Sequence, residues 1–136
     1  MIIGLDGKKH RWNLLKYNKE SKHCSKLHVR ARQLLKKLFK FEAILEEVLL
    51  PGSKILARAH PLRGDFYIDS RKIMIEIHGE QHYKFNPHFY KTKLDFIRAQ
   101  ACDRDKKLWC SVNAIRLIEL PYDENNTEWE KRILGD

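Results

Sequence analysis

Residues 64–83, GDFYIDSRKIMIEIHGEQHY, set two apolar runs on either side of a short polar break, and no other stretch restricts the fold of this chain as sharply. The runs predict a β-hairpin with strands over 66–68 and 73–75 and with Ser70 and Arg71 as its loop. That register sets Asp65 directly opposite Glu76. Opposed residues on one face have Cβ atoms roughly 4.5–5.5 Å apart, close enough for two carboxylates to share a divalent cation. Side chains alternate across a strand, so Arg63 and His78 join this polar face. Leu62, Phe66, Ile68, Ile73, Ile75 and Ile77 make the opposite face continuously apolar and suited to packing against a helix. Like charges directly opposed in a hairpin are destabilising, which calls for a compensating cation, either a metal ion or Arg63.

The remaining periodicities surround the hairpin with helices and further strands. Residues 1–24 read as a basic arm or short helix whose apolar cluster is Trp12, Leu14, Leu15 and Tyr17. Over 25–39, Leu27, Ala31, Leu34, Leu35, Leu38 and Phe39 recur at helical spacing, with Lys26, Arg30, Gln33, Lys37 and Lys40 largely to one side. AILEEVLL at 43–50 predicts a strand ended by the Pro51-Gly52 turn, and a second short strand is expected near 55–59. A histidine- and aromatic-rich loop over 78–90 leads into a helix over 92–112, with Leu94, Ile97, Ala101, Leu108 and Val112 as its apolar stripe. Asp105 projects onto that stripe and Asp103 onto the other side. A buried strand over 115–120 and a short helix over 127–134, packing through Trp129 and Ile133, close the chain. The order predicts one α/β domain over 25–136, a sandwich around a mixed sheet.

Charge narrows the partner. The chain carries +9 at pH 7, and the excess is confined to residues 1–60, with 14 Lys/Arg against 5 Asp/Glu; residues 61–136 hold 13 of each. A localised basic excess points to a polyanion, most commonly nucleic acid. Lys26, Arg30, Lys37, Arg63, Gln81 and Lys106 are the candidate nucleic-acid contacts. The 3 cysteines, Cys24, Cys102 and Cys110, show no CxxC spacing, which predicts free thiols in a reducing, cytoplasmic compartment. No apolar run approaches about 18 residues, so no membrane span is expected.

Phosphodiester cleavage needs a nucleophilic water, neutralisation of developing charge and a proton for the leaving oxygen. Mg²⁺ takes hard oxygen ligands and retains waters, and Mn²⁺ substitutes for it in such sites. Asp65, Glu76 and the backbone carbonyl of Ile77 are the candidate ligands. His78, Glu80 and His82 are placed to move protons, and Gln81 to orient water or phosphate.

DFYI…IEIHGEQHY, CDRDKKLWC and IRLIELPY together resemble the PD-(D/E)XK nuclease superfamily. The likeness is greatest to the branch related to very-short-patch repair endonucleases and phage homing endonucleases, and it covers roughly residues 25–122. It implies a restriction-endonuclease-like α/β sandwich and Mg²⁺-dependent cleavage of double-stranded or branched DNA by a bacterial or phage-encoded protein, a monomer or weak homodimer. Asp65 is then the principal ligand with Glu76 assisting, His82 an acid/base or phosphate contact, and Asp103, followed by Lys106, an Asp-x-x-Lys helix element approaching the site. His78 stands where the superfamily pattern has lysine. The first helix also lacks the acidic residue of many relatives, and Glu46 or Glu47 is the substitute at hand. Two other functions fit the same charge distribution: a non-catalytic nucleic-acid-binding module on this scaffold, and a nuclease for structured RNA.

Overall fold

A short ribbon, β1 (Ile2–Ile3) paired with β2 (Lys9–His10), and a 3-10 turn over Leu15–Tyr17 precede the first helix, α1 (Lys26–Leu38). The Ser25 side chain accepts the His28 N–H at 3.1 Å, satisfying one of the donors a helix start leaves unpaired. Strands β3 (Leu45–Leu49), β4 (Arg63–Ile68) and β5 (Ile73–His78) follow, then α2 (Lys93–Val112), β6 (Arg116–Pro121) and α3 (Asn126–Leu134). Thr92 and Asn125 cap α2 and α3 in the same way as Ser25 caps α1. This computed structural model describes residues 1–55, 58–80, 87–88 and 90–135.

The chain is a mixed α/β protein with a four-stranded sheet in the order β3-β4-β5-β6. The first three strands are antiparallel neighbours, and β6 lies parallel to β5. A parallel neighbour requires a crossover, and α2 supplies it. The sheet is buried on both faces. One cluster joins Ala31, Leu34 and Leu35 of α1 to Phe66, Ile68, Ile73 and Ile75, with Trp129 and Ile133 of α3. The other joins Leu45, Tyr67 and Met74 to Trp109 and Cys110 of α2. The N-terminal arm packs into this second layer. Trp12 lies with ring centroids 4.6 Å from Tyr67 and 5.1 Å from Trp109, and its indole N–H donates to the Leu49 carbonyl at 2.9 Å.

Phe66 pairs with Ile75, Tyr67 with Met74 and Ile68 with Ile73, the register that the hairpin sequence predicts. Its turn is longer than expected: residues 69–72 reverse the chain, with Lys72 in the left-handed region at φ 54°. The face predicted to be wholly chemical is half core, because Tyr67 and Met74 are completely or almost completely buried beneath α2 and the arm. Leu62 belongs to this second cluster, not to the Phe66 face. Strict alternation fails there because the backbone twists around Asp65 and its neighbour on β3. Leu45 and Val48, three residues apart, share a cluster, while Glu47 between them takes φ 52°.

Two other expectations are corrected. Among the described residues of 55–59 there is no strand. Leu94, Ile97, Leu108 and Val112 of α2 lie on its exposed side, each about half accessible. The inward side carries Cys102, Lys106, Trp109 and Cys110 instead. Trp109 contributes more buried area than any aliphatic on the stripe, and Lys106 has a buried partner, so helical spacing of aliphatics mistook the face. Asp105 is ion-paired to Arg58.

Gly64 shows how tightly β4 and β5 approach at the twist. A Cβ there would lie 2.1 Å from the Met74 sulfur, and Met74 is itself buried. Gly64→Ala is therefore expected to destabilise the fold by about 1–3 kcal/mol through overpacking, read from urea denaturation midpoints; an unchanged midpoint would mean that Met74 has free space to move.

Candidate active site

The β4–β5 ladder stops at Phe66 and Ile75, and one step further the carboxylates take over its hydrogen bonds. The Ile77 N–H donates to Asp65 Oδ2 at 2.8 Å, and the Asp65 N–H donates to Glu76 Oε2 at 3.1 Å. Each acid thus holds the backbone of the opposite strand. The expected ligand set of Asp65, Glu76 and the Ile77 carbonyl is consequently not assembled as an open pair. Ile77 offers Asp65 its N–H, and Glu76 is 3 % exposed, with Oε1 against the ammonium of Lys106 from α2.

Burial and the adjoining Asp65 charge raise the Glu76 pKa well above the carboxylate range, despite Lys106. Burial alone would lower the Lys106 pKa, but Glu76, Asp65 and Asp103 together raise it, so the lysine stays charged at neutral pH. Lys106 was expected at the nucleic acid; it lies mostly buried, inside the site. Asp103, one turn earlier on α2, is half-buried and close enough to add to the field at Lys106.

On its other side Asp65 meets Glu47. The pairs Glu46–Phe66 and Val48–Gly64 flank these two residues, so Glu47 and Asp65 are opposed across β3 and β4. The left-handed backbone at Glu47 is costly for a side-chain-bearing strand residue, and such strain concentrates at functional sites. His28 of α1 completes the group. His28, Glu47 and Asp65 each offer a ligand atom, all within 4.8 Å of one another. Burial raises the Glu47 pKa, and the neighbouring Asp65 charge raises it further.

An ionic network fixes His28 from behind. Its Nε2 lies 2.8 Å from Glu46 Oε1, and its ring stacks on Phe66 with centroids 4.3 Å apart. Arg32 grips both Glu46 oxygens, at 2.7 and 2.8 Å. Burial pushes Glu46 upward, but the Arg32 and His28 hydrogen bonds outweigh it and hold the carboxyl at about 2.

His78, expected on the face of Asp65 and Glu76, is buried and lines a small pocket with Glu76, Asp103 and Lys106. Its Nδ1 is 3.0 Å from Glu119 Oε2, and Lys107 contacts the other Glu119 oxygen at 3.0 Å. The His78 hydrogen bond, aided by Lys107, holds Glu119 at about 2. Glu80 is exposed. His82 and Gln81 lie outside the described residues. Glu119 was missed as a site neighbour; its charge inside the apolar run 115–120 was the available signal. His28 was missed as well: it lies within the helix predicted over 25–39 but outside its apolar stripe.

The candidate nucleic-acid contacts divide. Lys26 and Lys37 are exposed on α1. Arg30 is engaged within the fold: it stacks on Trp129 at 3.7 Å and donates to Asn126 Oδ1 and the Glu124 carbonyl, both at 2.6 Å. Arg63 is exposed and lines an open cleft of about 630 Å³, whose charged walls are Lys16, Lys19 and Lys22 with Glu20, Glu46 and Glu47. The basic arm therefore borders a channel that reaches one of the three clustered ligand residues.

No family model matches the chain, and no solved structure matches it. "Uncharacterized protein 307L" of Invertebrate iridescent virus 6 is 45% identical over 58 residues, 43% of this chain and 29% of that protein. "Uncharacterized protein 033L" of Invertebrate iridescent virus 3 is 40% identical over 48 residues, 35% of this chain and 25% of that protein. The chain thus spans less than a third of the length of these viral relatives. Among the described residues no helix is long and apolar enough to cross a membrane.

Proposed function

We propose that the chain is a metal-dependent endonuclease that hydrolyses phosphodiester bonds in DNA, on a restriction-endonuclease-like sandwich. The observation that carries this reading is the meeting of Glu47, Asp65 and His28 at the twist of β3 and β4, beside the Glu76–Lys106 pair. The helix–three strands–helix–strand order around a mixed sheet and the hairpin register support the same family. A cation bound by these residues would supply an activated water and neutralise charge developing on the phosphate. The donor set fits such a cation, with two carboxylates opposed and a third ligand nitrogen next to them.

The chain's own groups do the remaining work. Asp65 is held in place by the Ile77 N–H, leaving its second oxygen for the site. Lys106 provides, from α2, the fixed positive charge that the family pattern puts on the strand at His78. The lysines of the arm and Arg63 would hold the backbone of the nucleic acid in the cleft beside Glu47, an affinity that weakens steeply with salt.

The test is a substrate panel of supercoiled, linear, branched and single-stranded DNA and structured RNA, each with Mg²⁺, Mn²⁺ or chelator. Cation-dependent cutting of DNA is expected, and Lys106→Met is expected to slow it by about 10²–10³-fold, the usual loss on removing one preorganised electrostatic contact. Cutting confined to RNA would reassign the substrate. Salt-sensitive binding with no cutting of any substrate would mark a nucleic-acid-binding module instead.

A further inference from the structure

We propose that His28 is a metal ligand together with Glu47 and Asp65, and that this site selects a first-row transition-metal dication, such as Mn²⁺, over Mg²⁺. The inference deepens the nuclease reading by naming its cofactor class, but it rests on geometry that stands whether or not the chain cuts DNA.

The tautomer of His28 decides the matter. Its Nε2 meets Glu46 at 2.8 Å, and Glu46, clamped by Arg32, is an ionised acceptor. Nε2 therefore carries a ring proton, and in the neutral imidazole Nδ1 presents its lone pair. That nitrogen faces Glu47 Oε1 at 4.0 Å, too far for a hydrogen bond, in a residue that is 4 % exposed. A buried lone pair facing a carboxylate is repulsive unless positive charge, from a metal ion or a second ring proton, lies between them, and the gap left here suits a metal ion. Metal–ligand distances of about 2.0–2.2 Å separate the donors of one ion by about 3–4 Å, and the three donor atoms fall within 4.8 Å of one another.

The supporting shell has the form that metal-binding histidines use. A carboxylate takes the second ring N–H, which fixes ring orientation and raises ligand basicity. Arg32 extends this one layer further by fixing the carboxylate. Imidazole nitrogen is a poor ligand for Mg²⁺, which demands hard oxygens; it favours the transition ions, and affinity rises along that series.

Binding is measured on the full chain without nucleic acid, by calorimetric titration and by the electron paramagnetic resonance signal of free Mn²⁺. One Mn²⁺ per chain is expected, bound at least ~10-fold more tightly than Mg²⁺. Co²⁺ is expected to give visible absorption bands characteristic of nitrogen and oxygen ligation. His28→Asn is expected to remove the preference, so that the two ions bind alike. Glu47→Gln, at a half-buried position that keeps the fold intact if His28→Asn does not, is expected to abolish tight Mn²⁺ binding. Equal affinities for Mn²⁺ and Mg²⁺, or Mn²⁺ binding unaltered in Glu47→Gln, would overturn the proposal. Equal affinities for the two ions accompanied by cation-dependent cutting would overturn it while leaving the nuclease reading in place. Selective Mn²⁺ binding without cutting of any substrate would uphold the site and remove the nuclease reading.

Discussion

Asp65→Asn is expected to lower cation-dependent cleavage by about 10³-fold, equivalent to about 4 kcal/mol of transition-state stabilisation, while leaving the folded protein at least as stable. Both halves follow from the same contacts. Asparagine keeps an oxygen to accept the Ile77 N–H, so the strand connection at 2.8 Å survives. It loses the charge that raises the pKa of Glu47 and of Glu76. Relieving that repulsion favours the folded state, and the trade of stability for activity is common where charges are crowded for function. Cleavage rates under single-turnover conditions and thermal midpoints on the same preparations check the pair of outcomes. A variant that cuts within about tenfold of the parent would remove Asp65 from the centre of the site. One that loses activity only because it unfolds would reduce Asp65 to a structural role.

Arg32→Met is expected to cost about 3–5 kcal/mol of folding stability, because it leaves the buried carboxylate of Glu46 without its main partner. Glu46 is 4 % exposed and accepts two hydrogen bonds from Arg32. The double variant Arg32→Met/Glu46→Leu is expected to recover most of the loss, since an apolar pair of similar volume replaces a buried ion pair with little net penalty. Urea denaturation at neutral pH measures both. The same network predicts the acid limb of stability. Glu46 and Glu119 both titrate near 2 in the folded chain, below the ordinary 4.5. Their contribution is therefore complete above about pH 4.5 and is lost as pH falls from there toward 2. In Arg32→Met the Glu46 share of that slope should shrink, with only the His28 and Ser21 hydrogen bonds left to hold the carboxyl down. A loss below about 1 kcal/mol for Arg32→Met would mean that the network behaves as an exposed ion pair, and His28 would then lack a rigid support.

How much of this was legible in the sequence depends on the range of the forces involved. The hairpin register was legible, because two apolar runs of equal length admit one pairing that keeps both buried, and the pairs at Phe66, Tyr67 and Ile68 follow it. Helix α1 was legible for the same local reason, with a serine cap and an unbroken apolar stripe. The loop length was not, because Lys72 accepts a left-handed backbone that its side chain does not advertise.

The placement of the candidate site residues was legible where it follows from the hairpin register, and the rest is tertiary. Asp65 and Glu76 do face each other, but α2 brings Lys106 down onto Glu76, and no spacing within the hairpin reveals an ammonium arriving from another element. Glu47 seemed interchangeable with Glu46 in AILEEVLL. The twist at Glu47 separates them, sending Glu46 to Arg32 and Glu47 to Asp65. His28 carried no role in the sequence because its partners come from other elements: its ring stacks on Phe66 of β4, and its two nitrogens face Glu46 and Glu47 of β3. On α2 the apolar stripe pointed to the wrong face, since the helix docks through one tryptophan, one lysine and two cysteines.

The most direct test of the central proposal is the conversion of supercoiled plasmid to nicked circle by the full chain as Mn²⁺ is titrated, with protein in excess over DNA. Nicking is expected to rise with Mn²⁺ to saturation, to stop in chelator and to fall by about 10³-fold in Asp65→Asn. Nicking that persists in chelator, or that Asp65→Asn leaves unchanged, would contradict a cation-dependent nuclease centred on Asp65, as would intact plasmid at every concentration of Mn²⁺ and Mg²⁺.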